Sequence, residues 1–80
     1  MAIRTDKTTA HLEGVCGAEE ALELLEWLRG RKAPKLDLKA CEHLHTSVLQ
    51  VLLALRPRLV APPAEPFLAA WVTPLLTEPR

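Results

Sequence analysis

The sequence predicts an α/β fold, a mixed sheet of about four strands with three helices mainly on one face. Three observations carry that expectation. Extended and helical patterns alternate along the 80 residues in the order strand, strand, helix, strand, helix, strand, helix. The best strand pattern, residues 35–40, sets Leu36, Leu38 and Ala40 against Lys35, Asp37 and Lys39, so one side of the sheet meets water. The helical patterns gather leucine on one side, which suits packing on the other face.

Each element has its own grounds. Residues 2–5 form a short first strand, and Lys7-Thr8 a turn. Residues 9–15 alternate, with Ala10, Leu12 and Gly14 opposite His11, Glu13 and Val15, and read as one strand closed by Gly14 and Gly17. Residues 18–29 give the clearest helix. Its apolar arc is Ala18, Ala21, Leu22, Leu24, Leu25 and Leu28, and Glu19, Glu20, Glu23 and Glu26 cover most of the rest. Acidic residues lead and Arg29, Arg31 and Lys32 follow, which suits the helix dipole. Gly30 fits a C-cap and Pro34 forbids continuation. Trp27 falls outside the arc, as a ring on a neighbouring loop or as an anchor for a partner.

After the strand at 35–40 comes a polar corner, residues 41–47, and a helix from about Thr46 to Leu55. Leu44, Val48, Val51, Leu52 and Leu55 share its apolar face, widened by Leu49 and Leu53. Thr46, Ser47, Gln50 and Ala54 make a narrow small or polar strip. Arg56-Pro57 ends the helix. Residues 58–61 read as a short buried strand and Pro62-Pro63 as a rigid turn. The last helix opens at Glu65-Pro66, where the missing proline N–H costs little. Phe67, Leu68, Trp71, Val72 and Leu75 make its stripe. Pro74 is expected to kink or break it, and residues 77–80 to fray.

Composition narrows the function classes. Ten Lys and Arg balance ten Asp and Glu, and no basic patch stands out beside Trp27, Phe67 and Trp71, which argues against nucleic-acid binding. No apolar run, neither 51–55 nor 67–72, is nearly long enough to span a bilayer, and the N-terminus has no apolar signal core. One cytoplasmic domain over 1–80, not embedded in a membrane, is the expectation. Cys16 and Cys41 read as two reduced thiols.

The corner holds most of the candidate chemistry. Cys41, His43 and His45 are spaced i, i+2, i+4, and on an extended strand would offer zinc donors on one face, with a fourth ligand from Glu42, His11 or elsewhere. No CxxC, HExxH, GxSxG or GxGxxG accompanies them, so no metal, cofactor or enzymatic activity is expected. Thr46 and Ser47 lie where the helix begins. They suit capping, and a phosphoryl group there is favoured by the helix dipole.

At this corner the chain resembles the STAS domain, the module of anti-sigma factor antagonists and sulphate-transporter tails. Leu36-Asp37-Leu38 is similar to the family's hydrophobic-Asp-hydrophobic strand. His45-Thr46-Ser47-Val48-Leu49-Gln50-Val51-Leu52 is similar to its Asp-Ser-Ser/Thr-Gly-Leu loop and leucine-rich helix. Leu12-Glu13-Gly14 before the first helix resembles its strand-Gly-helix opening. His45 stands where the family has Asp, and Val48 where it has Gly.

The resemblance implies a STAS-like fold and a non-enzymatic bacterial signal-transduction module that docks on a protein partner. Ser47, or Thr46 beside it, is then the phosphorylation candidate, and His43, His45, Ser47, Gln50 and Ala54 the docking surface. The implied partner is a serine or histidine kinase, or an ABC-transporter ATPase to which the chain would be an accessory subunit. A metal or thiol site at Cys41, His43 and His45, and a homodimer through Trp27 or Trp71, are the alternatives.

Overall fold

The computed structural model describes residues 3–77; Ala2 of the expected first strand and residues 78–80 of the expected frayed tail lie outside that range. The fold is α/β, with three helices, a mixed four-stranded sheet and a small two-stranded parallel sheet. The elements are β1 (Ile3–Thr5), β2 (Thr9–Leu12), β3 (Gly14–Cys16), α1 (Glu20–Arg29), β4 (Lys35–Asp37), β5 (Cys41–Leu44), α2 (Thr46–Leu55), β6 (Arg58–Ala61) and α3 (Pro66–Thr77).

The main sheet runs β1-β2-β4-β6, with β1 antiparallel to β2 and the other two pairs parallel. Its register sorts the side chains. Ala10, Leu36 and Leu59 lie abreast on the covered face, while Arg4, His11 and Asp37 lie abreast on the open one. Ala10, Leu12, Leu36 and Leu38 are fully buried, and with Leu24, Leu28, Val48, Leu52, Leu68, Val72 and Leu76 they form the core under the helices.

One expected strand is divided and another is cut short. The segment 9–15 breaks at Gly14, whose φ of 67° lies in the left-handed region that costs other residues a steric penalty. The segment 35–40 ends at Asp37; the Asp37 carboxylate takes the Lys39 N–H at 2.9 Å and turns the chain. Both segments therefore bend together, and the Gly14 N–H donates to the Ala40 carbonyl at 2.9 Å across the bend. Beyond it β3 and β5 pair in parallel and lead into α1 and α2. The polar corner is thus mostly strand.

The helices also depart from the expected faces. The α1 helix begins at Glu20, two residues later than the pattern suggested, because the Glu20 carboxylate reaches back to the Gly17 N–H at 3.0 Å. Leu22 does not join its apolar arc: it is 63% exposed, since it lies about 200° around the helix from buried Leu24. Trp27 takes the opposite edge, half-buried against the core with the Arg31 guanidinium 4.3 Å from its ring centroid.

The α3 stripe divides into two ridges, Leu68, Val72 and Leu76 buried, and Phe67, Trp71 and Leu75 exposed. Pro74 does not break α3, which continues to Thr77. The carbonyl that Pro74 leaves without its usual donor belongs to Ala70, on the exposed side where water can serve it. Glu65 starts the helix, its carboxylate taking the N–H groups of Phe67 at 3.1 Å and Leu68 at 2.8 Å.

Candidate functional site

The corner is set by strand β5 handing the chain to α2. A bulge in the β3–β5 pair puts Gly14 opposite Cys41 and Val15 opposite His43, so Glu42 is the extra residue. That bulge separates the three residues spaced for a metal. Cys41 is buried, its thiol donating to the His43 carbonyl at 3.6 Å, while His43 and His45 are exposed. Among the described residues no group of three His, Cys, Asp or Glu side chains is placed to hold a metal ion. Both cysteines are free and buried, and the hydrogen bond to Cys41, with burial, pushes the Cys16 thiol up, so it stays protonated.

His45 caps α2, the role expected of Thr46 and Ser47. Its Nδ1 accepts the Ser47 N–H at 3.1 Å and lies 2.8 Å from the Ser47 hydroxyl. An N–H can only donate, so Nδ1 is unprotonated and the Ser47 hydroxyl donates to it as well. The ring is neutral in this arrangement. Ser47 is half-buried, its hydroxyl at the positive end of the helix dipole, and Thr46 is exposed beside it. From there the exposed strip continues through Gln50 and Ala54, one helical turn apart, while Val48 and Leu52 face the core.

A second constellation lies on the open face of the main sheet. His11 is flanked by two carboxylates, with Nδ1 2.8 Å from Asp37 and Nε2 3.1 Å from Asp6. Asp6 is held by the β1–β2 turn, its other oxygen accepting the Thr8 and Thr9 N–H groups at 3.1 and 2.9 Å. Asp37 comes from β4, in register with His11.

An ionised carboxylate only accepts, so both ring nitrogens donate and His11 is an imidazolium. The hydrogen bonds to Asp6 and Asp37 raise its pKa. Asp6 is lowered to about 2 by its bond to His11 and by the two backbone N–H groups. Burial works upward on Asp37, but the Lys39 N–H and His11 outweigh it and hold that carboxyl low. Beside the cluster a cleft of about 290 Å³ is lined by Arg4, Glu13 and Lys39 as well, with Arg4 and Glu13 paired at 3.0 Å. With both nitrogens engaged, His11 is a clasp between the turn and β4, not a free base.

The sequence pattern put His11 and Asp37 on solvated faces but could not pair them, because the parallel register of β2 and β4 is a tertiary fact. The run Asp6-Lys7-Thr8-Thr9 carried the one local signal, an Asp positioned to cap its own turn. Among the described residues no helix is long and apolar enough to cross a membrane. Comparison of the chain with protein-family models, curated proteins and solved structures finds no match.

Proposed function

We propose that this protein is a small non-enzymatic regulatory module that docks a partner protein through the β5–α2 corner and the open strip of α2, formed by His43, His45, Ser47, Gln50 and Ala54. The observation that carries the reading is the capped helix end. A hydroxyl is held at the positive end of α2, at the head of an exposed strip through Gln50 and Ala54, on a helix whose Val48 and Leu52 face the core. The STAS resemblance supports it, since the matched serine, Ser47, stands in the first turn of a helix that follows β4 and β5. The partner in this reading is a serine or histidine kinase, or an ABC-transporter ATPase, in the bacterial cytoplasm.

Phosphorylation of Ser47 is the switch in this proposal. It breaks the hydroxyl's bond to His45 and adds close to two negative charges to the docking strip. Mass spectrometry of protein from its native cell, under phosphatase inhibition, is expected to find phosphate on Ser47; occupancy of Thr46 alone moves the switch, and no phosphate on either removes it. The docking strip has its own test. Gln50→Glu is expected to weaken a partner captured by the wild-type chain by about tenfold or more, and an unchanged affinity rejects the surface.

A second reading is self-association. Phe67 and Trp71 are 64% and 66% exposed with ring centroids 6.3 Å apart, and Leu75 extends the ridge. No charged residue occurs in α3 to oppose pairing with a second copy. Trp27 does not share this role, because its ring is half-buried and stacked by Arg31. Sedimentation at rising concentration tests it: a dimer weakened by Trp71→Glu supports the reading, and a monomer throughout rejects it.

A further inference from the structure

A second cleft, also about 290 Å³, opens where α1 gives way to β4 and α2 to β6. Its lining includes four cations, Lys32, Lys35, Arg56 and Arg58, with Leu55 and Pro57 as apolar wall. No acidic side chain among the described residues lines it. The sequence spreads these charges over 27 positions in a chain of balanced charge, and the fold collects them.

Helix dipoles account for part of the cluster. Lys32 follows α1 and Arg56 caps α2, where cations offset the partial negative charge of the last carbonyls. Lys35 and Arg58 have no such reason. They open two adjacent parallel strands and are direct partners in the ladder, so their side chains leave the same face from backbones about 5 Å apart. Like charges placed abreast in this way repel. Among the described residues neither they nor Lys32 form a salt bridge.

Arg56 is held in place at the end of α2. It has the only positive φ among the described non-glycine residues, 48°, and its guanidinium also reaches the Leu75 carbonyl at 3.1 Å. That conformation is the common one for the residue that ends a helix, and the bond to Leu75 fixes the side chain beside the cleft.

We infer that this cleft binds a phosphate group, held between Lys35 and Arg58 with Lys32 and Arg56 completing the lining. A multiply charged oxyanion relieves the Lys35–Arg58 repulsion, and the guanidinium groups match its geometry. The group can be carried by a soluble ligand or by a lipid headgroup. The cleft lies at the end of α2 opposite the 41–47 corner, just beyond Ala54, where the docking strip stops.

The test uses two probes on the full chain: inorganic phosphate, followed by backbone NMR against chloride at matched ionic strength, and vesicles of phosphatidic acid in phosphatidylcholine, followed by co-sedimentation. Saturable shifts at Lys35, Arg56 and Arg58 with phosphate are expected, and the double variant Lys35→Gln/Arg58→Gln should weaken binding by about tenfold or more. Both side chains are exposed, so the variant keeps its core; with the repulsion gone its melting temperature in chloride should equal or exceed that of the wild type, while phosphate should stabilise the wild type more. Binding confined to the vesicles, and lost in the variant, assigns the headgroup as source. Absence of saturable binding in both arms overturns the inference, as does binding that the double variant leaves unchanged.

Discussion

His45 and His11 are each held at two hydrogen-bonding contacts, yet they require opposite protonation states. His45 accepts at a single nitrogen from a backbone N–H and a hydroxyl, which only a neutral ring can do. His11 donates from both nitrogens to two carboxylates, which only an imidazolium can do. One joins residues two apart; the other joins the β1–β2 turn to Asp37, which lies 26 residues beyond His11 itself. The residue type is the same, and the partners decide what the ring is. Local partners fix a helix end, and distant ones fix a turn to a sheet.

The largest expected difference between them is in the dependence of stability on pH. The pKa of His11 is raised in the folded state, so its contribution is complete below the unfolded value of about 6.5 and is lost as pH rises through the raised value. Asp6 and Asp37 are lowered, so theirs is complete above about 4 and is lost as pH falls, for Asp6 through about 2. The clasp therefore contributes most between about pH 4 and 6.5. At pH 6, His11→Gln should cost about 1–3 kcal/mol in urea unfolding, because charge-assisted bonds are lost at a side chain only 18% exposed. The variant should also lose the alkaline decline. Parallel pH profiles for the two proteins would remove the clasp from the account.

The smaller effect belongs to the local histidine. His45→Ala should cost about 1 kcal/mol, the usual scale for losing an N-cap acceptor. His45→Asn, which keeps an acceptor at the same position, should recover most of that. Faster exchange of the Ser47 amide in the alanine variant alone is the direct reading. Equal stability of both variants and the wild type means that the cap contributes nothing.

The same contrast between local and distant causes explains how much of the molecule was legible in the sequence. The α/β class, the four-stranded sheet, the start of α2 at Thr46 and its exposed strip came from short-range periodicity and stop signals. The break at Gly14 and the early end of the second strand at Asp37 did not, because alternation continues across a bend that only a positive φ and an Asp-held turn reveal. Leu22 and the Phe67-Trp71-Leu75 ridge belong to the apolar stripes of their helices but stay exposed, because apolar residues on a wheel do not say which of two neighbouring ridges meets the sheet. The cap at His45 was missed because Thr and Ser are the commoner caps and stood beside it. The His11 clasp and the basic cleft are invisible for one reason: each is made by strands lying abreast, His11 beside Asp37 and Lys35 beside Arg58, and a single sequence carries no register.

Ser47→Ala gives the smallest expected change and sharpens the comparison most. It removes the hydroxyl donor to His45 but leaves the backbone N–H of residue 47, which makes the capping bond. The stability cost should stay below about 0.5 kcal/mol, since Ser47 is only half-buried and Ala is the better helix former. A cost near that of His45→Ala would mean that the hydroxyl orients the ring, and that cap and candidate switch are one device. Modification of Ser47 would then loosen the head of α2 as well as recharge it. A negligible cost leaves Ser47 able to change charge with the helix start intact, and partner affinity becomes the measurement in which its role has to appear.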